Sequence, residues 1–211
     1  MEDKIIVTID REYGSGGHEV GKYLAQRLGI AFYDDEFIAK AAAKTGFDEE
    51  YVRRNEENIP TASIASYFGG IDIFNTSPFD QIQMEEARII KEIAEQGSCV
   101  IIGRAADYIL KDLPHVSIFV YAPLEARIKR IKARPSLYRP HGDDDIPLEK
   151  SIRTIDKQRK RYYEFYTDNK WGSHGSYDLL VNTARTGIDG AAMIIETYIK
   201  ECRGKDILSD F

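Results

Sequence analysis

The sequence predicts a three-layer α/β domain built on a parallel sheet of five strands. Two observations carry that expectation. Short apolar runs bounded by turn residues alternate with stretches whose apolar residues recur at helical spacing. The first run also opens directly into a cluster of glycines and then a helical stripe, the strand–loop–helix order of sheets covered on both faces.

The elements follow in order. Residues 5–9 read as a buried strand and Gly14 to Gly17 as a flexible loop. Val20, Leu24 and Leu28 recur every four residues, the stripe of an amphipathic helix, and Gly29 ends it. Residues 31–33 form a second strand and 35–44 a second helix. Pro60, Gly69, Gly70, Asn75 and Pro78 interrupt any long element, so about 45–80 reads as an irregular insert. A helix over 79–96 buries Ile82, Ile89, Ile90 and Ile93. Strands at 99–102 and 116–121 follow, and Pro123 opens a helix at a favoured first-turn position. The prolines and acidic run of 135–147 predict a loop with little to bury and therefore mobile when no ligand is present. A long helix over 148–166, a strand over 178–182 and a helix over 188–201 complete a single domain, 1–211.

Composition narrows the function. Hydrophobic residues at 43% and charged residues at 30% exclude the disordered and membrane-spanning classes. A net charge of -6 disfavours a general nucleic-acid binder. Neither Cys99 nor Cys202 belongs to a Cys-x-x-Cys pair, and the start of the chain has no secretory pattern, so the cytoplasm is the expected compartment. His115, His141 and His174 lack metal-ligand spacing.

Ligands of such sheets bind at the carboxyl ends of the strands, where the segment Asp10 to Glu19 lies. Gly14, Gly16 and Gly17, with Ser15 between them, let backbone N–H groups approach an anion, and the helix behind presents its positive end. Phosphate is the natural guest. A dinucleotide fingerprint fails because Glu19 stands where its third glycine belongs. Gly16-x-x-x-x-Gly21-Lys22 has most letters of a P-loop, but the helical stripe places Lys22 inside the helix as a solvated residue.

Val7-Thr8-Ile9-Asp10, the loop Arg11-Glu12-Tyr13-Gly14-Ser15-Gly16-Gly17 and Leu24-Ala25-Gln26-Arg27-Leu28 resemble the start of the cytidylate kinase-like family. The likeness continues through Phe32-Tyr33-Asp34, the stretch from Val100 to Leu110 around Gly103-Arg104, and Tyr177 to Thr183. It implies a P-loop nucleoside monophosphate kinase fold, Mg²⁺ arriving with a nucleoside triphosphate, and a small phosphorylated acceptor. Against the cytidylate kinases, Gly17 takes the place of the loop lysine, and His18 and Glu19 stand where the helix start carries a hydroxyl. His18 could replace the missing donor, and Glu19 could face a metal. The arginine that binds the acceptor phosphate matches Arg104, but the acid after it is Ala105, so cytosine specificity is not implied.

Other residues join the expected site. Asp34 reads as an acceptor contact or as a helix N-cap, and Asp107 lies near Arg104. Arg127, Arg130 and Arg134 share one helix face, with Arg153, Lys157 and Arg161 on another and Arg159 beside them. By the resemblance these flank a lid, and Arg127, Arg130, Arg159 and Arg161 are expected to neutralise the transferring phosphoryl group. The run Tyr162, Tyr163, Phe165, Tyr166 reads as packing beneath the lid, with a stacking platform for a base as the alternative. Phosphoryl transfer is the leading expectation, and a non-catalytic nucleotide sensor with a degenerate loop is the alternative.

Overall fold

A computed structural model of the protein describes residues 4–34, 37, 78–138 and 146–202. The expected helix 35–44, nearly all of the insert 45–80, the centre of the expected lid and His141 lie outside these residues.

Five strands form one wholly parallel sheet in the order β2-β3-β1-β4-β5. They are β1 (Ile6–Arg11), β2 (Ala31–Tyr33), β3 (Cys99–Ile102), β4 (Val116–Tyr121) and β5 (Leu179–Asn182). The helices are α1 (Gly17–Leu28), α2 (Pro78–Gln96), α3 (Ala106–Ile109), α4 (Leu124–Ala133), α5 (Leu148–Tyr166) and α6 (Thr183–Cys202). A short 3₁₀ turn, Pro135–Leu137, follows α4.

The sheet alternates as pleating requires. Val7 and Ile9 face a core shared with Val20, Leu24, Ala191 and Ile195 of α1 and α6. Ile6, Cys99 and Ile101 face the opposite layer, with Ile89, Ile90 and Ile93 of α2. Each fully buried branched side chain stabilises by about 1.5–3 kcal/mol, so a one-residue slip of β1 would be expensive. Gly21 permits the close approach of α1, since a Cβ there would stand 2.6 Å from Ile102 Cδ1. Gly29 caps α1 in a left-handed conformation (φ 65°), its N–H reaching the carbonyls of Ala25 and Gln26.

Several boundaries differ from expectation. β1 continues past Ile9 through Asp10 and Arg11, both of which stay paired with β4. Pro123 is the N-cap of α4 and not its first residue. α6 begins at Thr183, but Gly187 (φ 68°, ψ −177°) breaks it, so the helix expected from 188 is its continuous part. The unforeseen α3 is a single turn that follows three successive left-handed residues, Gly103 (φ 71°), Arg104 (φ 59°) and Ala105 (φ 49°).

Candidate active site

The strand order reverses about β1, whose neighbours are β3 and β4. The crevice at its carboxyl end is therefore the topological switch point, and the glycine loop lies there. Gly14 (φ 77°) and Gly16 (φ 85°) hold left-handed conformations that a side chain would strain. Both are also hemmed in: a Cβ on Gly14 would stand 2.8 Å from Ile131 Cδ1, and one on Gly16 2.4 Å from Ile188 Cδ1.

The loop's two polar sides are treated differently. Its carbonyls are taken by side chains from distant elements. Arg159 donates to the carbonyl of Arg11 (3.2 Å), Arg127 to that of Tyr13 (3.3 Å), Arg130 to that of Gly14 (2.7 Å) and the Thr183 hydroxyl to that of Ser15 (2.5 Å). Among the described residues, no protein acceptor takes the N–H groups of Gly14, Gly16, Gly17 or His18. The first N–H of this region to enter the helix ladder is that of Val20, bonded to Gly16 (2.9 Å). A helix start with unfilled donors and a fixed positive end is a cradle for an anion. The buried Ser15 hydroxyl likewise has no partner among the described residues.

The expected lid arginines divide on this geometry. Arg127 is buried and held by Asp156 (2.5 Å) and Glu12 (3.6 Å), which makes it a clamp between α4, α5 and the loop. Asp156 also accepts the Tyr13 N–H (2.7 Å). Arg130 bridges Gly14 to the Thr183 hydroxyl (3.2 Å), close beside Gly16. Arg159 lies over the Tyr13 ring, 5.7 Å from its centroid. Arg161 is exposed, one residue beyond the buried face of α5, and is not brought to the loop. Arg134 pairs with Glu19 (3.2 Å), whose other oxygen accepts the Tyr138 hydroxyl (2.9 Å). Burial and the Glu19 charge push that phenol well above its ordinary range.

On the β2 side, His18 and Asp34 meet (3.2 Å), and the His18 ring stands edge-on to Phe32. Asp34 also accepts the Phe37 N–H (2.8 Å), which realises the N-cap reading. Arg104 is buried in an ion pair with Glu86 (3.2 Å) of α2. Asp107 accepts the Tyr163 hydroxyl (2.6 Å), and burial raises its carboxyl to about 6. Asp10 accepts the Tyr177 hydroxyl (2.9 Å), and burial raises it too, against the lowering pull of Arg11. Tyr163 and Tyr177 stack (5.7 Å) in a cluster with Ala105, Phe119 and Tyr162, against which Tyr166 packs, so these three tyrosines of the aromatic run are core packing. Lys22 is exposed on α1, away from the loop.

Asp10, Arg11, Glu86 and Tyr138 were not singled out from sequence. Arg11 left a signal, because the alternation of Val7 and Ile9 carries it to the α1 side of the sheet. Glu86 left none, since it reads as one solvated helix carboxylate among many. Among the described residues, no three of His, Cys, Asp or Glu cluster as a complete metal cage, and no helix is long and apolar enough to cross a membrane.

Similar proteins agree with this architecture. A cytidylate kinase from Methanococcus vannielii is 28% identical over 202 residues, covering 93% of this chain and all of that protein. A cytidylate kinase from Methanocaldococcus jannaschii is 28% identical over 200 residues, covering 92% and 97%. An uncharacterised protein from Eubacterium ventriosum superposes with a TM-score of 0.67 at 28% identity, covering 93% and 99%. The shikimate kinase of Acinetobacter baumannii shares the fold, with a TM-score of 0.59 at 18% identity over 97% of each chain. The strand order, the glycine loop at the switch point and the Gly-Arg turn beside it thus accompany a sequence match over residues 6–185, and the chain belongs to the cytidylate kinase-like family.

Proposed function

We propose that this protein transfers the terminal phosphoryl group of a nucleoside triphosphate to the phosphate of a nucleoside monophosphate or a similar small phosphorylated acceptor. The observation that carries the reading is the two-sided loop: its carbonyls are held by Arg127, Arg130, Arg159 and Thr183, while its N–H groups are left without protein acceptors. Turning the carbonyls away leaves donors alone to meet an anion, and family membership supplies the reaction class.

The bond from the terminal phosphorus to its bridging oxygen breaks, and a new bond forms to an acceptor phosphate oxygen. A triphosphate and a monophosphate become two diphosphates, with no covalent enzyme intermediate. Gly14, Ser15, Gly16 and Gly17 would hold the donor, and catalysis would rest on positioning and charge. The acceptor belongs over the ends of β2 and β3, where Asp34 stands and where Arg104 and Asp107, held by Glu86 and Tyr163, would have to turn to meet it. Arg130 and Arg159 border the loop and would meet developing charge, with Arg127 positioning both. Mg²⁺ in such sites takes one or two carboxylates besides phosphates and waters. Glu19, at the start of α1, is a carboxylate of that kind, but its oxygens meet Arg134 and Tyr138, and it would have to exchange those partners to hold an ion that neutralises charge on the transferring oxygens. The cytoplasm, where nucleoside triphosphates are supplied, is the proposed location.

Gly17 at the lysine position and Ala105 after Arg104 favour a second reading, a nucleotide sensor without turnover. A coupled assay of ATP or GTP consumption across nucleoside monophosphates and small phosphorylated acceptors separates the two. The kinase reading expects turnover, and Arg159→Ala lowers kcat by about a hundredfold with a much smaller change in nucleotide binding. Tight nucleotide binding with no turnover on any acceptor would establish the sensor.

A further inference from the structure

We infer that Arg11 is a catalytic cation of this site, carried on the strand end because position 17 has no room for one. The inference rests on the phosphotransferase reading above.

Arg11 follows Val7 and Ile9 on the face of β1 turned toward α1. A Cβ built on Gly17 would stand 2.5 Å from Arg11 Cβ, 3.0 Å from Arg11 Cγ and 3.3 Å from Val120 Cβ. The Arg11 stem therefore fills the space through which any side chain of residue 17 would leave the start of α1. A lysine there and a side chain at position 11 exclude each other. At the far end, a Cβ on Gly103 would stand 2.2 Å from Arg11 Nη1 and 3.2 Å from its Cζ. Two glycines thus open one slot, with the stem crossing Gly17 and the guanidinium ending against Gly103.

That slot runs from the phosphate loop at the end of β1 to the Gly-Arg turn at the end of β3. The guanidinium therefore lies between the glycine loop after β1 and the turn after β3. The Arg11 side chain is only 10% exposed, and the Asp10 carboxylate lies 4.0 Å away. Arg159 anchors the Arg11 carbonyl from the other side. A planar guanidinium presents paired donors to phosphate oxygens, and it stays charged when buried. Charge in phosphoryl transfer spreads over the equatorial oxygens, so a cation at this midpoint acts where the loop lysine would act.

The test measures binding of inorganic tripolyphosphate and of ATP with Mg²⁺ by calorimetry, together with turnover, after thermal melting has verified that each variant folds. Arg11→Ala is expected to weaken tripolyphosphate binding at least tenfold and to lower kcat by about a hundredfold. Gly17→Lys alone should melt lower and bind poorly, because its Cβ collides with the Arg11 stem. The double variant Arg11→Gly with Gly17→Lys should regain binding and turnover well above Arg11→Gly alone. Glycine is required at 11, since an alanine Cβ would still collide. If Arg11→Ala binds tripolyphosphate as the parent does, or the double variant is no better than Arg11→Gly, Arg11 is not the compensating cation. If the parent binds neither tripolyphosphate nor ATP, the phosphotransferase reading falls and this inference with it.

Discussion

The loop after β1 and the turn after β3 leave neighbouring strand ends through left-handed residues, yet they treat charge in opposite ways. The loop is clamped from outside by Arg127, Arg130 and Arg159, which bond its carbonyls from α4 and α5. The turn carries its own cation inward: Arg104, itself at positive φ, is buried against Glu86. Positive φ costs glycine little but costs arginine and alanine of order 1 kcal/mol or more each. The surrounding packing must supply that, and the Arg104–Glu86 pair with the nearby Tyr162 and Tyr163 cluster is where it does so. One strand end is thus shaped by cations reaching in from elsewhere, the other by a cation reaching away into the core.

The largest test breaks the turn. Glu86 is 1% exposed, and removing one member of a buried ion pair typically costs about 3–5 kcal/mol. Glu86→Ala should therefore lower the denaturation midpoint strongly, and a midpoint within a degree of the parent would mean that the pair does not hold the turn.

A smaller effect sharpens the comparison through pH. Asp107 lies beside the turn, and burial lifts its carboxyl to about 6 from an ordinary value near 4. The folded state then holds a proton that the unfolded state has released. Its stabilising contribution is complete below about pH 4 and is lost as pH rises through about 6, an amount of about 3 kcal/mol. Asp10, raised in the same direction, adds to the same trend. Asp107→Asn should flatten the fall of stability between pH 4 and 6, as read from urea midpoints across that range. An unchanged pH profile would remove Asp107 from the account.

The smallest effect concerns the loop side. Lys22 is exposed on α1, so Lys22→Ala should change nucleotide affinity by no more than about 0.5 kcal/mol. A tenfold loss would show that the cation of this loop is Lys22, against the register argued from Val20, Leu24 and Leu28.

The α1 stripe, the α2 stripe through Ile82, Ile89, Ile90 and Ile93, and the apolar runs of β3 and β4 were all legible as periodicities. They depend only on which residues recur at 3.6 or 2 positions. The loop was legible because glycines at 14 and 16 meet a local demand of its backbone for positive φ, whereas Gly17 answers to the Arg11 side chain. The lid arginines were legible as a group but not by role: spacing places Arg159 and Arg161 two residues apart, and only the docking of α5 turns Arg159 to the loop and Arg161 to solvent.

The sequence by itself determined the layered α/β fold and the glycine loop after its first strand, because each is written as a local recurrence within a few residues of chain. Only the tertiary structure decided that Arg104 turns inward to Glu86, that Arg127 is a clamp, and that Arg11 occupies the space of residue 17. Those outcomes depend on contacts between residues tens of positions apart, such as Arg11 with Gly103 and Arg127 with Asp156. Packing of the layers, and no local pattern, brings such residues together.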